Sequence, residues 1–217
     1  MRRLRPLPFA AVALLACEPA LPPAPPPPLA PPPAPAPPPA FATGAAGVFR
    51  SERFTLRLPL PDGRAWRIDD HGGTWLTATH AASASTLIVR SWNEDGRATR
   101  ARCEERARLW RKLPERAGAD IVQDRSIAAP AGFDTQLLVG LVPGKPGAPL
   151  GAFALALGAH VHRCFVWSYA TTAEGPSAER VVGERLATMV EASLSKVALD
   201  SELAPRIQRE PAGPKRD

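Results

Sequence analysis

Histidine and cysteine are scarce: the 217 residues hold four and three. The cysteines are Cys17, Cys103 and Cys164, so the chain holds no Cys-x-x-Cys redox pair and no second cysteine cluster for zinc. Gly-x-Ser-x-Gly, the phosphate loop Gly-x-x-x-x-Gly-Lys-Ser/Thr, the dinucleotide glycine fingerprint and His-Glu-x-x-His are also missing. The common enzyme classes therefore lose their main support. Charge of one sign is scarce as well. The formal net charge is +6, from 27 Lys/Arg against 21 Asp/Glu. Arg2, Arg3 and Arg5 supply three of these in the leader, and residues 48–203 hold 20 Lys/Arg against 18 Asp/Glu, a net of +2. That excludes the basic footprint of a nucleic-acid binder.

Proline is the residue in excess, and it is concentrated: 14 of the 23 positions from Glu18 to Ala40 are Pro. Such a stretch forms neither helix nor ladder. It adopts polyproline II at roughly 3.1 Å per residue, a semi-rigid stalk on the order of 70 Å long. A ligand for a proline-recognition module is the rival reading, but no Arg or Tyr interrupts the run to give it a register.

Ahead of the stalk, Met1-Arg2-Arg3-Leu4-Arg5 is cationic and Leu7 to Ala16 is apolar apart from Pro8. Ten residues make a helix of about 15 Å, half a bilayer core, so this is a signal-peptide segment and not a span. It ends in Leu14-Leu15-Ala16-Cys17. These residues resemble the lipobox of bacterial lipoproteins: Leu three before Cys, a small residue just before it, and Cys as the first mature residue. The resemblance implies lipidation of the Cys17 thiol, cleavage after Ala16 and acylation of the new amino group. Two or three acyl chains, at roughly 0.8 kcal/mol per buried methylene, anchor a protein to the membrane essentially permanently. Glu18, and not Asp, follows the Cys; under the sorting rule of enteric lipoproteins this permits export to the outer membrane, the expected location, facing the periplasm or the cell surface. An ordinary secretory signal with an incidental Cys17 is the alternative.

The expected organisation is a signal peptide at 1–16, a lipidated Cys and stalk at 17–47, one globular domain at 48–199 and a disordered tail at 200–217. With Cys17 lipidated, Cys103 and Cys164 remain as a pair in an oxidising compartment, read as a structural disulfide with two free buried thiols as the alternative.

Within the domain, alternation predicts strands at Phe54 to Pro59, Ala65 to Asp69, Thr74 to His80, Thr86 to Trp92, Asp120 to Ala128, Phe133 to Val142, Leu150 to Leu157 and His160 to Ala170. Gly158-Ala159 is read as the turn before the last of these. Helical periodicity takes over from Ala98 to Leu113, with Cys103, Ala107 and Trp110 on one stripe. A second helix opens after Gly175-Pro176-Ser177, with Val182, Leu186, Met189, Val190 and Leu194 as its apolar stripe. The fold class is α+β, a mainly antiparallel sheet flanked by two helices. The first helix is expected over the Cys164 face of the last strand and the second over the Phe165 and Trp167 face.

Phe54-Thr55-Leu56-Arg57-Leu58-Pro59 followed by Trp66, the strand Leu87 to Trp92 before helix one, Ala131-Gly132 entering a strand pair and a final helix after Cys164 to Tyr169 together resemble the PsbP-like family, which includes envelope lipoproteins of the DcrB type. The resemblance implies an α/β/α sandwich without catalytic residues, acting as an accessory, assembly or binding factor.

Candidate chemistry is sparse. His160-Val161-His162 on a strand puts both imidazoles on one face, half a metal site with no third ligand in view, or a solvent-facing rim; no metal or other cofactor is assigned. Asp69-Asp70-His71 before Gly72-Gly73 reads as a hairpin turn ahead of an acid and base pair. Arg100, Arg102, Arg106, Arg108, Arg111, Lys112 and Arg116 make a basic face for phosphates of the envelope or a solvated surface diluted by Glu104, Glu105 and Glu115. Trp110 and Trp167 are the aromatic pair to seek in any cleft. Two functions follow: a non-catalytic, stalk-mounted envelope lipoprotein that binds a protein or envelope component, with no nucleic-acid partner, or an envelope hydrolase using His71 or His80 with an acid and a nucleophile from loops.

Overall fold

The computed structural model of the chain describes residues 46–199, Pro146 excepted. The leader, Cys17, the stalk and the tail lie outside the described residues. In chain order the elements are β1 (Gly47–Ser51), β2 (Leu56–Leu60), β3 (Trp66–Asp69), β4 (Leu76–His80), β5 (Ser85–Asn93), α1 (Arg100–Trp110), β6 (Asp120–Ile127), β7 (Asp134–Val142), β8 (Leu150–His160), β9 (Arg163–Ala173), α2 (Ala178–Ala192) and β10 (Ala198–Leu199). The class is α+β, with mainly antiparallel sheets and two helices.

Seven strands form the main sheet in the order β3-β4-β5-β9-β8-β7-β6, and β1-β2-β10 form a smaller one. Every pairing is antiparallel. The order follows from the connections. β3, β4 and β5 are a meander; α1 then carries the chain to the far edge, and β6 to β9 return by hairpins until β9 closes against β5.

Side chains alternate across the sheet, and the two helices take opposite faces. Phe165, Trp167 and Tyr169 on β9 share a core with Val182, Leu186 and Met189 of α2 and with Leu56, Leu58 and Leu60 of β2. Val166 joins Ala107 of α1 on the other side, beside Cys164 and Cys103. β8 serves both cores with different sizes of residue. Ala152, Ala154 and Ala156 face α2 and leave room for the large rings of β9, while Phe153, Leu155 and Leu157 fill the α1 side. Each large side chain sealed in this way stabilises by about 1.5–3 kcal/mol. The Cys103 and Cys164 sulfurs lie at bonding distance, with Cα atoms 5.5 Å apart, fixing α1 to the start of β9.

Thr99 caps α1: its Oγ1 accepts from the Arg102 amide at 3.3 Å. The stripe differs from the expected one, since Cys103 and Ala107 are its buried residues and Trp110 stays 36% exposed. Trp110 lies edge-on to Trp92 with centroids 5.0 Å apart and covers the Arg90 guanidinium at 3.7 Å. A cation under its ring, not the core, positions it.

Three strand boundaries also differ. Phe54 and Thr55 belong to a turn, with Thr55 at φ 50 and the Phe54 amide donating to Ser51 Oγ at 3.0 Å, so β2 begins at Leu56 and an additional strand, β1, precedes the turn. Gly158-Ala159 is not a turn. β8 runs on to His160, because a Cβ at Gly158 would sit 2.5 Å from Thr135 Oγ1 on the neighbouring strand: the glycine permits a close approach. The hairpin instead turns at Val161-His162, with Val161 at φ 51.

Candidate functional site

Of the predicted chemical residues, His80 has the richest surroundings. It ends β4 and is 2% exposed. Its Nδ1 lies 2.7 Å from Ser83 Oγ and its Nε2 3.3 Å from Asp62 Oδ2, placing a base between an acid and a hydroxyl. The network continues inward. Ser83 Oγ donates to Ser85 Oγ at 2.8 Å, and Ser85 Oγ meets Tyr169 OH at 2.8 Å and Thr171 Oγ1 at 3.0 Å. Burial pushes the Tyr169 phenol up despite these bonds. Arg185 of α2, 5% exposed, closes the cluster by donating through Nη1 to Ser83 O, Thr171 Oγ1 and Thr172 O at 2.9, 3.2 and 2.8 Å. Ser83 itself is 3% exposed.

The arrangement resembles a hydrolytic triad in composition but not in access. The base and the hydroxyl are both buried, although Ala84 and Thr171 beside them line a groove. Its evident work is mechanical: it ties the β4–β5 connection, where Ala84 takes φ 45, to β9 and α2. Sequence reasoning picked out His80 and missed Asp62, Ser83, Tyr169 and Arg185. One signal was present. Arg185 falls on the apolar stripe of α2 between Val182 and Leu186, where a charge has to be satisfied inside the protein.

Asp69-Asp70-His71 forms the chain reversal after β3. Asp69 Oδ1 accepts from the His71 and Gly72 amides at 3.0 and 2.8 Å, and these two bonds hold its carboxyl below the usual range. Asp70 points inward, where burial raises its pKa against the hydrogen bond from Ser51 Oγ. His71 is exposed. Trp110 and Trp167 do not share a cleft: Trp167 is fully buried on the α2 face, Trp110 lies beyond the α1 face.

The basic face of α1 is largely neutralised. Arg100 pairs with Asp134, Arg102 and Arg106 with Glu94, Arg108 with Glu104 and Glu115, and Arg116 with Asp124. Asp124 is held below the usual carboxylate range by Gln136 first and then Arg116. Five of the seven cations are thus engaged by carboxylates, which leaves little field for a phosphate-rich surface.

His160 and His162 are not on one strand. They sit at the two ends of the β8–β9 turn, His160 across from Arg163. His162 Nδ1 lies 2.8 Å from Gly96 O, an oxygen that only accepts, so Nδ1 carries a proton. His160 packs on Phe133 with centroids 5.4 Å apart. No group of three or more His, Cys, Asp or Glu side chains among the described residues converges as for a metal. What the two imidazoles do line, with Arg97, Arg100 and Asp134, is a groove of about 800 Å³ at this end of the sheet.

No family model matches the chain, and no curated protein matches it. Among solved structures it is similar to the Ran-binding protein Mog1p of Saccharomyces cerevisiae, at 10% identity and a TM-score of 0.47 over 74% of this chain and 98% of that one. It is also similar to a protein of Bacteroides thetaiotaomicron, at 8% identity and a TM-score of 0.37 over 67% of this chain and 47% of the other.

Proposed function

We propose that the chain is a lipid-anchored protein of the bacterial cell envelope, attached at Cys17 and carried on the proline-rich stalk, whose folded part binds a protein or envelope component without catalysis. The anchor rests on Leu14-Leu15-Ala16-Cys17 after a cationic leader. The finer fold reading, a PsbP-like α/β/α sandwich, is supported by α1 and α2 lying on opposite faces of the main sheet. The observation that carries the binding reading is the burial of His80 and Ser83, the base and the hydroxyl, at 2% and 3% exposure. A nucleophile must meet its substrate, and this one meets Ser85.

Crosslinking in the native envelope followed by pull-down of the full chain is expected to recover a specific partner, and acyl labelling is expected to vanish in Cys17→Ser. Retained label in that variant sinks the anchor. The second reading, an envelope hydrolase, is favoured by the hydrogen bonds of His80 to an acid and a hydroxyl. An esterase activity that disappears in both Ser83→Ala and His80→Gln while the fold persists would establish it over the first.

A further inference from the structure

The α2 face of the main sheet is covered unevenly. α2 packs over β8 and β9, and β6, two strands further on at the end of the sheet, is left bare. Seven of its eight residues are exposed, and its outer edge pairs with no strand among the described residues. Between β6 and α2 runs a groove of about 310 Å³ whose floor is Val122, Val139, Leu141, Leu186 and Val190. A bulge between Ile121 and Gln123 interrupts the β6–β7 register at Val122, and that valine lines the groove while 59% exposed. Bulges re-aim side chains, and this one sets an apolar group in water beside an apolar floor.

The helix wall shows the same openness. Gly183 stands inside α2, where glycine weakens a helix, yet a Cβ there would meet nothing within 4 Å. No contact among the described residues needs its missing side chain, whereas a body lying in the groove does. Ala187, one turn further on, is also exposed and lines the groove.

Charge decides what that body is. Glu179 and Glu191 line the two ends of the helix wall, about 18 Å apart along α2. Neither is paired with a Lys or Arg among the described residues, whereas Glu184 between them meets Arg180 at 2.6 Å. Arg125, on the strand wall, is the one cation of the lining and gives its Nε to Gln123 at 3.4 Å. Unpaired glutamates repel an anionic bilayer. A second copy docked about a twofold axis would set glutamate against glutamate.

We infer that this groove takes an extended segment of a partner protein, with apolar side chains at alternate positions on the floor and a Lys or Arg at each end for Glu179 and Glu191. The free edge of β6 offers such a segment backbone hydrogen bonds, and a strand covering 18 Å needs about six residues. The inference rests on the binding reading above and gives it a surface and a partner chemistry.

The full chain in detergent micelles is titrated, by fluorescence anisotropy, with a labelled peptide Lys-Thr-Val-Thr-Val-Thr-Lys and with the same peptide carrying Glu at both ends. Saturable binding of the lysine peptide and none of the glutamate peptide is expected. Glu179→Gln combined with Glu191→Gln should weaken it about three- to tenfold, as the loss of two exposed ion pairs does. Arg125→Gln should tighten it. All three side chains are exposed, so these variants should melt with the unaltered protein. Gly183→Gln fills the groove while relieving the helix of its glycine, so it should abolish binding and melt no lower. Equal affinity for the two peptides, or unchanged binding in Gly183→Gln, overturns the site. In the native envelope, a photocrosslinker at Ala187 is expected to capture a segment that mass spectrometry reads as apolar at alternate positions and basic at both ends. Capture from the exposed Glu105 of α1 but not from Ala187 overturns the groove and leaves the binding reading standing. Capture of a second copy, or of this chain's own residues 200–217, overturns the partner. No capture from either position, with neither peptide bound, overturns both readings.

Discussion

Replacing both Cys103 and Cys164 by Ala tests the strongest tie between the α1 layer and the sheet. Both residues are fully buried, and their separation of 61 residues sets the loop that a bond between them closes. On the chain-entropy model, closing a loop of that length removes about 4 kcal/mol of disorder from the unfolded chain. For a domain near 150 residues each kcal/mol moves the midpoint by roughly 2–4 °C, so the double variant should melt roughly 8–16 °C lower by calorimetry. The pattern of single variants is the sharper criterion. One bond is lost whichever partner is removed, so Cys103→Ala and Cys164→Ala should each cost nearly as much as the pair together. Small, additive losses in the singles, or two thiols titrating in the native oxidised protein, would refute the reasoning.

Gly158→Ala should destabilise by about 1–3 kcal/mol in chemical denaturation, because its Cβ would meet Thr135 Oγ1 at 2.5 Å and the Phe133 ring at 3.2 Å in a filled interior. An unchanged midpoint would mean that β7 and β8 can separate freely. Thr99→Ala should cost roughly 0.5–2 kcal/mol and fray the start of α1, read as faster amide exchange at Arg102. Acid should weaken the fold in a defined way. Asp69 and Asp124 have lowered pKa values, so their contribution is present above the ordinary carboxylate range and is lost as pH falls through their folded values. Asp70, raised by burial, acts in the opposite sense over its own range. Asp69→Asn and Asp124→Asn should therefore each flatten the fall in stability below about pH 4, and an unaltered acid limb in both variants would count against the assignment.

The parts of the fold that were legible are those where one periodicity governs a whole element. β9 reads Cys164, Val166, Ser168 against Phe165, Trp167, Tyr169, and the two helices divide these faces between them. Leu56, Leu58 and Leu60 alternate as a strand must, although a turn occupies the two residues before them. Legibility failed where a residue has two physical uses and the sequence shows only its identity. Gly158 has the composition of a turn and the role of a spacer, and the choice depends on Thr135, which lies on another strand. Trp110 has the spacing of a core residue, but Arg90, on the middle of β5, draws it out over a cation. His160 and His162 would share one face only if the turn preceded them, and it lies at Val161-His162. The interior network was the least accessible of all, since Asp62, His80, Ser83, Tyr169 and Arg185 span more than half of the described residues and carry no motif. They meet because the β4–β5 connection, the last residues of β9 and the middle of α2 all reach the same end of the sheet. A polar group buried there has no water to satisfy it, so each hydroxyl needs the next, and Arg185 supplies the donor for the carbonyls of Ser83 and Thr172. The same requirement makes His80 look catalytic: a buried imidazole needs partners on both nitrogens, and an acid and a hydroxyl satisfy it whether or not any substrate can reach them.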